Sequence, residues 1–354
     1  QGLIETVGNG VSRLNYPLID GKVVGCPSHL LEPSRSNYIP YSTLDFDGGV
    51  KPNGWSIGFG TGSYSYEQLT YKGQKAVKQT QITTGRSYLD TGSITILANT
   101  EHTLKIQFIL DECVADADDF IVAFLGFGTD ISYRFSDIDA NGVLEIQYNP
   151  LSDNVGNLRI GLGCNGNEDG GKSLAWAIPQ LEQGSYATSY IPTNGSAVTR
   201  SAETANNSGD ASTFNDSEGV LFAEISALDD DGTTRRLSIS DGTTSNRIVF
   251  SYSNVTNQFQ SFLANPSVQF NFLTTLSSSV EFNKIAIKYK QNDFALWING
   301  IKVATDTNGT VANGLNTLNF DEGSGASDFY GNTKQIQYFD TTLTDAQLQA
   351  LTKI

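Results

Sequence analysis

The chain has 354 residues, of which 38% are hydrophobic and only 17% charged, and its formal net charge is −16. That length suits two domains, and a composition rich in Gly, Ser, Thr and Asn favours turn-filled β structure over helix. So negative a balance excludes a nucleic-acid partner, whose phosphates need a basic face, and an anionic membrane surface; neutral glycans or bound cations fit better.

No apolar run is long enough to span a membrane as a helix, and no signal peptide is visible. The chain opens at Gln1 and contains no Met, so a processed chain or a fragment is expected. Cys26, Cys113 and Cys164 are too few, and odd in number, for a disulfide framework. Buried free thiols are expected, with a single bridge among the three left open. His29 and His102 lie far apart and show no zinc-ligand spacing.

In chain order, residues 1–35 lack sustained alternation and are expected to be a connector from something upstream. "NYIPY" at 37–41 is echoed by "SYIPT" at 189–193. The two segments bracket a strand-rich block of 36–193, so they are predicted to be neighbours at the edge of one β-sandwich. Proline is tolerated at strand ends and edges, where no ladder N–H is needed. "TLKIQFIL" (103–110) alternates, with Leu104, Ile106, Phe108 and Leu110 on one face. Trp176, in "LAWAIPQLE", is a core candidate, and 180–192 reads as the closing edge strand. Residues 194–212 carry little apolar content and no alternation, so a linker is predicted there.

Strand pattern resumes at "EGVLFAEISAL" (218–228) and continues through "NKIAIKYK" (283–290), "FALWING" (294–300) and "QIQYF" (335–339). Trp297 is another core candidate. Asn-Gly and Asp-Gly pairs punctuate the chain and supply the positive φ angles of tight hairpins. The one convincing helix is terminal: Thr344 as N-cap and Gln347 three residues on make a capping box, and Leu348 and Leu351 form a narrow apolar stripe. It is expected to pack as a lid on the last sandwich. The fold class predicted is therefore all-β, two tandem antiparallel β-sandwich (jelly-roll) domains with a short C-terminal helix.

Catalysis has little to work with. No paired-carboxylate strand motif, no Gly-x-Ser-x-Gly elbow, no His-Glu-x-x-His and no phosphate loop occurs. For metal, Asp137-x-Asp139-x-Asn141-Gly142 matches the first half of a calcium loop, but the position of its bidentate Glu is Tyr148. Asp137, Asp139 and Asn141 are candidate Ca2+ ligands, against an Asn-Gly hairpin with polar shoulders. The acidic runs 111–119 and 229–232 read as solvated loops. For sugars, an exposed aromatic ring beside planar polar side chains is the required pairing. "WSIGFGTGSYSYEQLTY" (55–71) and "GRSYLD" (85–90) supply it, making Trp55, Tyr64, Tyr66, Arg86 and Tyr88 the candidate glycan-binding residues, with Phe59 nearby.

The opening phrase, with Cys26-Pro27-Ser28, Leu30-Leu31-Glu32-Pro33, Arg35 and Asn37, resembles a segment of bacteriophage tail-fibre and head-fibre proteins. There it precedes a carbohydrate-binding-module-like sandwich; His29 and Ser36 depart from the pattern. "AWAIPQLEQGSYATSYIPTNGSAVTRSAE" resembles the close of that sandwich. Residues 282–307 and 329–351 resemble the laminin-G-like, concanavalin-type jelly roll. The resemblance implies a module at 36–193 and a laminin-G-like domain at 213–354. It further implies a non-catalytic adhesion part of a virion fibre that binds cell-surface polysaccharide, with other fibre subunits as partners, as a homotrimer. A purely structural spacer, or an ancillary module of a secreted polysaccharide-degrading enzyme, are the alternatives.

Overall fold

The structure is a computed structural model that describes residues 7–19, 22–58, 61–127, 130–150 and 154–354. The start of the opening phrase, the Asp20-Gly21 turn and Phe59 lie outside the described residues. The chain divides into two compact units. One holds Ser34–Ser201; the other combines Val7–Pro33 with Ala202–Ile354, so the first interrupts the second in sequence.

The first unit is a sandwich of two five-stranded antiparallel sheets. One runs in the order Val143–Tyr148, His102–Phe108, Lys172–Gln183, Gln74–Gln81, Tyr64–Tyr71. The other runs Ile131–Arg134, Phe120–Leu125, Asn154–Ile160, Leu89–Ile96, Ser56–Ile57. Alternation does what period two requires: Leu104, Ile106 and Phe108 enter the core with Val77, Leu174, Trp176, Phe124 and Leu158. Leu110 does not follow them. The strand ends at Phe108, and Leu110 opens a 3-10 turn through Glu112 with 38% of its surface exposed.

The two Tyr-Ile-Pro segments are neighbours, but they do not pair as strands. The strand Lys172–Gln183 stops before Gly184, whose φ of 139° leaves the extended region and whose missing Cβ makes room for the Arg35 guanidinium. Side chains close the seam instead. Asn37 Nδ2 donates to the Ile191 carbonyl (2.9 Å), Thr193 Oγ1 donates to the Ile39 carbonyl (2.5 Å), and Tyr190 OH meets Ser42 Oγ (2.8 Å). Tyr190 is thus held by the seam, and Ile191 is buried.

The predicted boundaries at both ends shift. In the segment expected to be linker, Val198–Arg200 pairs antiparallel with Arg35–Asn37 of the first unit. From Ala202 on, the chain belongs to the second unit. The Glu203 carboxylate takes the Arg13 guanidinium (2.5 Å) and the Glu32 amide (2.8 Å), and Ser208 bridges to Leu318. The segment buries little apolar surface, and its backbone polar groups are satisfied by these ladders instead. The expected N-terminal connector is likewise built in: Leu14–Asn15 and Ser28–Leu31 are strands of the second unit.

That second sandwich sets a seven-stranded sheet against a five-stranded one. The larger sheet runs Leu14–Asn15, Ser28–Leu31, Gly331–Phe339, Glu218–Ala227, Asn283–Lys290, Phe294–Ile298, Ile301–Asp306. The smaller runs Ser267–Thr275, Gln258–Asn265, Arg247–Tyr252, Arg235–Ser240, Thr317–Asn319. Along Glu218–Ala227, the odd positions Leu221, Ala223, Ile225 and Ala227 enter the core between the sheets. The even positions Val220 and Phe222 face outward, where the helix Asp345–Thr352 covers them through Leu348. Trp297 is buried under this helix rather than between the sheets. The capping box is formed: Thr344 N–H donates to Gln347 Oε1 at 2.9 Å, and the Gln347 amide returns to Thr344 Oγ1 at 3.4 Å. Asn299 (φ 50°) and Gly300 (φ 83°) make the left-handed pair that the Phe294–Ile298/Ile301–Asp306 hairpin needs.

Candidate functional site

The structure separates the five glycan candidates into two groups. Trp55 and Tyr88 are not surface rings. Trp55 is 1% exposed; its indole N–H donates to the Tyr41 carbonyl (2.8 Å), and its ring meets Trp176 edge-on at 5.2 Å. A loop tryptophan is drawn inward here because burying so large an apolar ring outweighs the turn chemistry around it. Tyr88 is 2% exposed, packed with Ala123 and Cys164 and covered by the Arg159 guanidinium 4.6 Å from its ring centre. Gly58 lies against that ring so closely that no side chain would fit. Neither can stack on a sugar, which corrects the expectation for both.

Tyr64, Tyr66 and Arg86 come together at one end of the first sandwich. Tyr64 and Tyr66 share a face of Tyr64–Tyr71, with ring centres 5.6 Å apart and tilted by 59°. Both are half-buried. Tyr66 packs on the core and donates its hydroxyl to the Ser87 carbonyl (3.0 Å). Burial, with Tyr64 beside it, pushes its phenol well above the usual range. Tyr64 packs on Tyr66 in turn, so the outer ring of the pair is buttressed by the inner one.

Arg86 reaches this end through paired loops. Its amide donates to the Thr61 carbonyl (3.0 Å), while Gly85 and Glu168 exchange two backbone hydrogen bonds of 2.8 Å each. Gly85 is required there, since a Cβ would lie 1.7 Å from the Thr61 carbonyl oxygen. Arg86 Nε donates to Asn167 Oδ1 (3.2 Å), which orients a planar guanidinium beside a planar amide.

Three further residues at this end carry no obvious signal in the sequence. Gln79 and Gln81 lie opposite Tyr66 and Tyr64 in the strand register and are fully buried, as is Ser87. The Gln79 and Gln81 side-chain oxygens and the Ser87 hydroxyl have no hydrogen-bond partner. Buried polar atoms of this kind ordinarily meet water or a ligand. In "QKAVKQTQ" only the core residue Val77, two and four positions before Gln79 and Gln81, could have hinted that these glutamines face inward.

Close by, Lys172 Nζ contacts Asp119 (2.5 Å), Asp116 (3.0 Å) and Glu168 (3.5 Å). Burial, and then the hydrogen bond and charge of Asp119, push the Glu168 carboxyl up to about 7. The acidic run 111–119 is therefore ion-paired rather than simply solvated: Glu112 also meets Lys78 at 2.6 Å. Likewise Asp231 meets Arg235 at 2.8 Å.

The proposed calcium ligands form a hairpin turn. Asp139 Oδ1 accepts the amides of Asn141 (2.9 Å) and Val143 (2.7 Å), and Asp137 Oδ2 accepts the Arg134 amide (2.7 Å). Asn141 offers its carbonyl to Gln107 Nε2 (3.0 Å). Both carboxylates cap their own backbone through one oxygen each. Among the described residues, no three His, Cys, Asp or Glu are gathered as metal ligands. Chelator is expected to leave the melting temperature unchanged. Asp139→Ala is expected to cost about 1 kcal/mol, the worth of a lost turn hydrogen bond, equally with and without chelator. A chelator effect seen in the wild type and missing in the variant would instead show a cation bound at this turn.

The cysteines are free thiols. Cys113 is half-buried and Cys164 buried, but Cys26 is exposed, contrary to expectation.

No family model matches the chain, and no curated protein matches it. Among solved structures, it is similar to the CBM40 module of the Ruminococcus gnavus IT-sialidase bound to α2,3-sialyllactose. That match has 19% identity over 43% of this chain and 97% of that one, with a TM-score of 0.36. The same module bound to α2,6-sialyllactose matches at 17% identity over 42% of this chain and 94% of that one, TM-score 0.35. Domains LG4-5 of the mouse laminin α1 chain match at 9% identity over 70% of this chain and 85% of that one, TM-score 0.30.

Proposed function

We propose that this chain is a non-catalytic glycan-binding part of an extracellular adhesive appendage, of the kind found as fibres on phage virions. The observation that carries the binding reading is the buttressed Tyr64–Tyr66 pair at the same loop end as the oriented Arg86–Asn167 pair. A pyranose presents a face of C–H groups and a rim of hydroxyls. Tyr64 offers the ring for the first, and the guanidinium and amide offer donors and acceptors for the second. The net charge of −16 favours neutral surface polysaccharide over acidic polymers. The virion setting is supported by the phrase Cys26–Pro33. A homotrimeric fibre would multiply a weak single-site affinity.

The test is a glycan array probed with the intact chain and with Tyr64→Ala and Arg86→Ala. Each variant is expected to keep its fold and to lose about tenfold or more in affinity, equivalent to ~1.4 kcal/mol. Binding to no surface polysaccharide would favour the spacer reading. Turnover in a reducing-sugar assay would overturn the non-catalytic one.

A further inference from the structure

The second unit contains a cleft of about 470 Å³ that none of the sequence signals marked. It opens on the outward face of the seven-stranded sheet. Even positions of Glu218–Ala227 point to this face. Val220 and Phe222 are covered by the C-terminal helix, whereas Ser226, farther along, lines the cleft. The helix is only eight residues long, so it covers one part of the face.

The cleft floor is polar and held in place. Asn332 Oδ1 accepts two hydrogen bonds, from Asn15 Nδ2 (3.0 Å) and from Ser28 Oγ (3.0 Å). With its oxygen engaged in this way, the Asn332 amide leaves its NH2 group as a donor for a ligand. Part of the lining is apolar, with Phe282, Pro17, Val24 and Val280. Lys334 Nζ lies 3.9 Å from the Phe282 ring centre and 3.3 Å from Glu224 Oε1. A long flexible side chain resting on an aromatic face can be displaced by an incoming ring.

From this we infer that the cleft is a second glycan site, one that takes one or two neutral sugar rings. It extends the glycan-binding reading to the other unit and uses none of the first site's residues. The volume falls within the roughly 300–1,000 Å³ of small-molecule sites. An apolar lining beside a hydrogen-bonded amide and a serine hydroxyl matches the two chemical faces of a pyranose. The charge near it selects for neutrality: Glu224 and Glu281 outnumber Lys334, so a carboxylated or sulfated sugar is disfavoured.

Cys26 lines this cleft and is exposed, which supplies a probe already in the chain. Burial pushes the thiols of Cys113 and Cys164 up, so alkylation at neutral pH falls first on Cys26. The experiment measures the iodoacetamide rate at Cys26 by peptide mapping of the intact chain. Lactose, maltotriose and chitotriose serve as neutral probes and 3′-sialyllactose as the acidic one. At least one neutral probe is expected to slow alkylation several-fold, with no effect from the acidic one. Asn332→Ala and Phe282→Ala should each abolish protection with the melting temperature retained, and Tyr64→Ala should leave it intact. No protection by any neutral probe, protection by the acidic probe alone, or protection that survives both cleft variants would overturn the inference. If Tyr64→Ala removes array binding while Cys26 is never protected, the first site stands and the second falls. The converse result leaves the cleft and removes the tyrosine site.

Discussion

Asn37→Ala is expected to destabilise the first unit by about 3–5 kcal/mol, more than any exposed substitution in the same strand. Asn37 is fully buried, and its side chain is used at both ends. Nδ2 donates to the carbonyls of Ile191 (2.9 Å) and Pro179 (3.4 Å). Oδ1 accepts the amides of Ile39 (3.1 Å) and Leu181 (3.1 Å). Alanine would leave these backbone groups without partners, and each orphaned buried group costs about 1–3 kcal/mol before relaxation. Relaxation and water entry recover part of that sum. Chemical denaturation of Asn37→Ala against Ser36→Ala measures the difference. Ser36 is partly exposed and makes one hydroxyl contact with Thr199, so its loss should stay within about 0.5 kcal/mol. A cost below about 1 kcal/mol for Asn37→Ala would mean that the two Tyr-Ile-Pro segments are not held by this side chain.

Trp55→Ala is expected to cost about 3–5 kcal/mol of stability, the range for emptying a tryptophan-sized space in a packed core. The loss combines the edge-on contact with Trp176, the transfer of a large ring and the indole hydrogen bond to Tyr41. Trp55→Phe should cost markedly less, because it retains most of the ring volume. The two roles considered for Trp55 separate cleanly in this pair of variants. A surface platform would lose glycan binding and keep its melting temperature. A core residue loses melting temperature, and below the transition the chain still binds through Tyr64 and Arg86. Unchanged stability with abolished binding would return Trp55 to the surface.

These cases show where local pattern was legible. Alternation placed Leu104, Ile106 and Phe108 inside, the Asn299-Gly300 pair made its hairpin, and Thr344 and Gln347 capped their helix. All three depend on residues within a few positions of one another. Where reading failed, the partner was distant. Trp55 is taken into the core by Trp176, and Tyr88 is roofed by Arg159. Nothing within ten residues of either ring carries that information. Leu110 kept the apolar alternation but sits where the chain turns.

The candidate sites divide in the same way. Tyr64, Tyr66 and Arg86 were visible as aromatic and planar polar residues on Gly/Ser-rich loops. Asn167, Gln79 and Gln81 join them only through strand register and loop pairing, and the burial of Ser87, next to Arg86 in the chain, depends on the same packing. The cleft of the second unit was invisible, because Asn15, Ser28 and Asn332 become neighbours only when a segment read as a connector adds two strands to the seven-stranded sheet.

By itself, then, the sequence determined the all-β class, the hairpin turns, the terminal helix and a strongly negative net charge. Side-chain period, backbone propensity and net charge are short-range or summed properties. Tertiary structure alone decided which aromatic rings stay at the surface, where the two units divide, that Asp137 and Asp139 cap a turn, and that burial beside Asp119 raises the Glu168 carboxyl. Burial and hydrogen-bond partners depend on which distant strands are brought together, and that is a property of the packed chain.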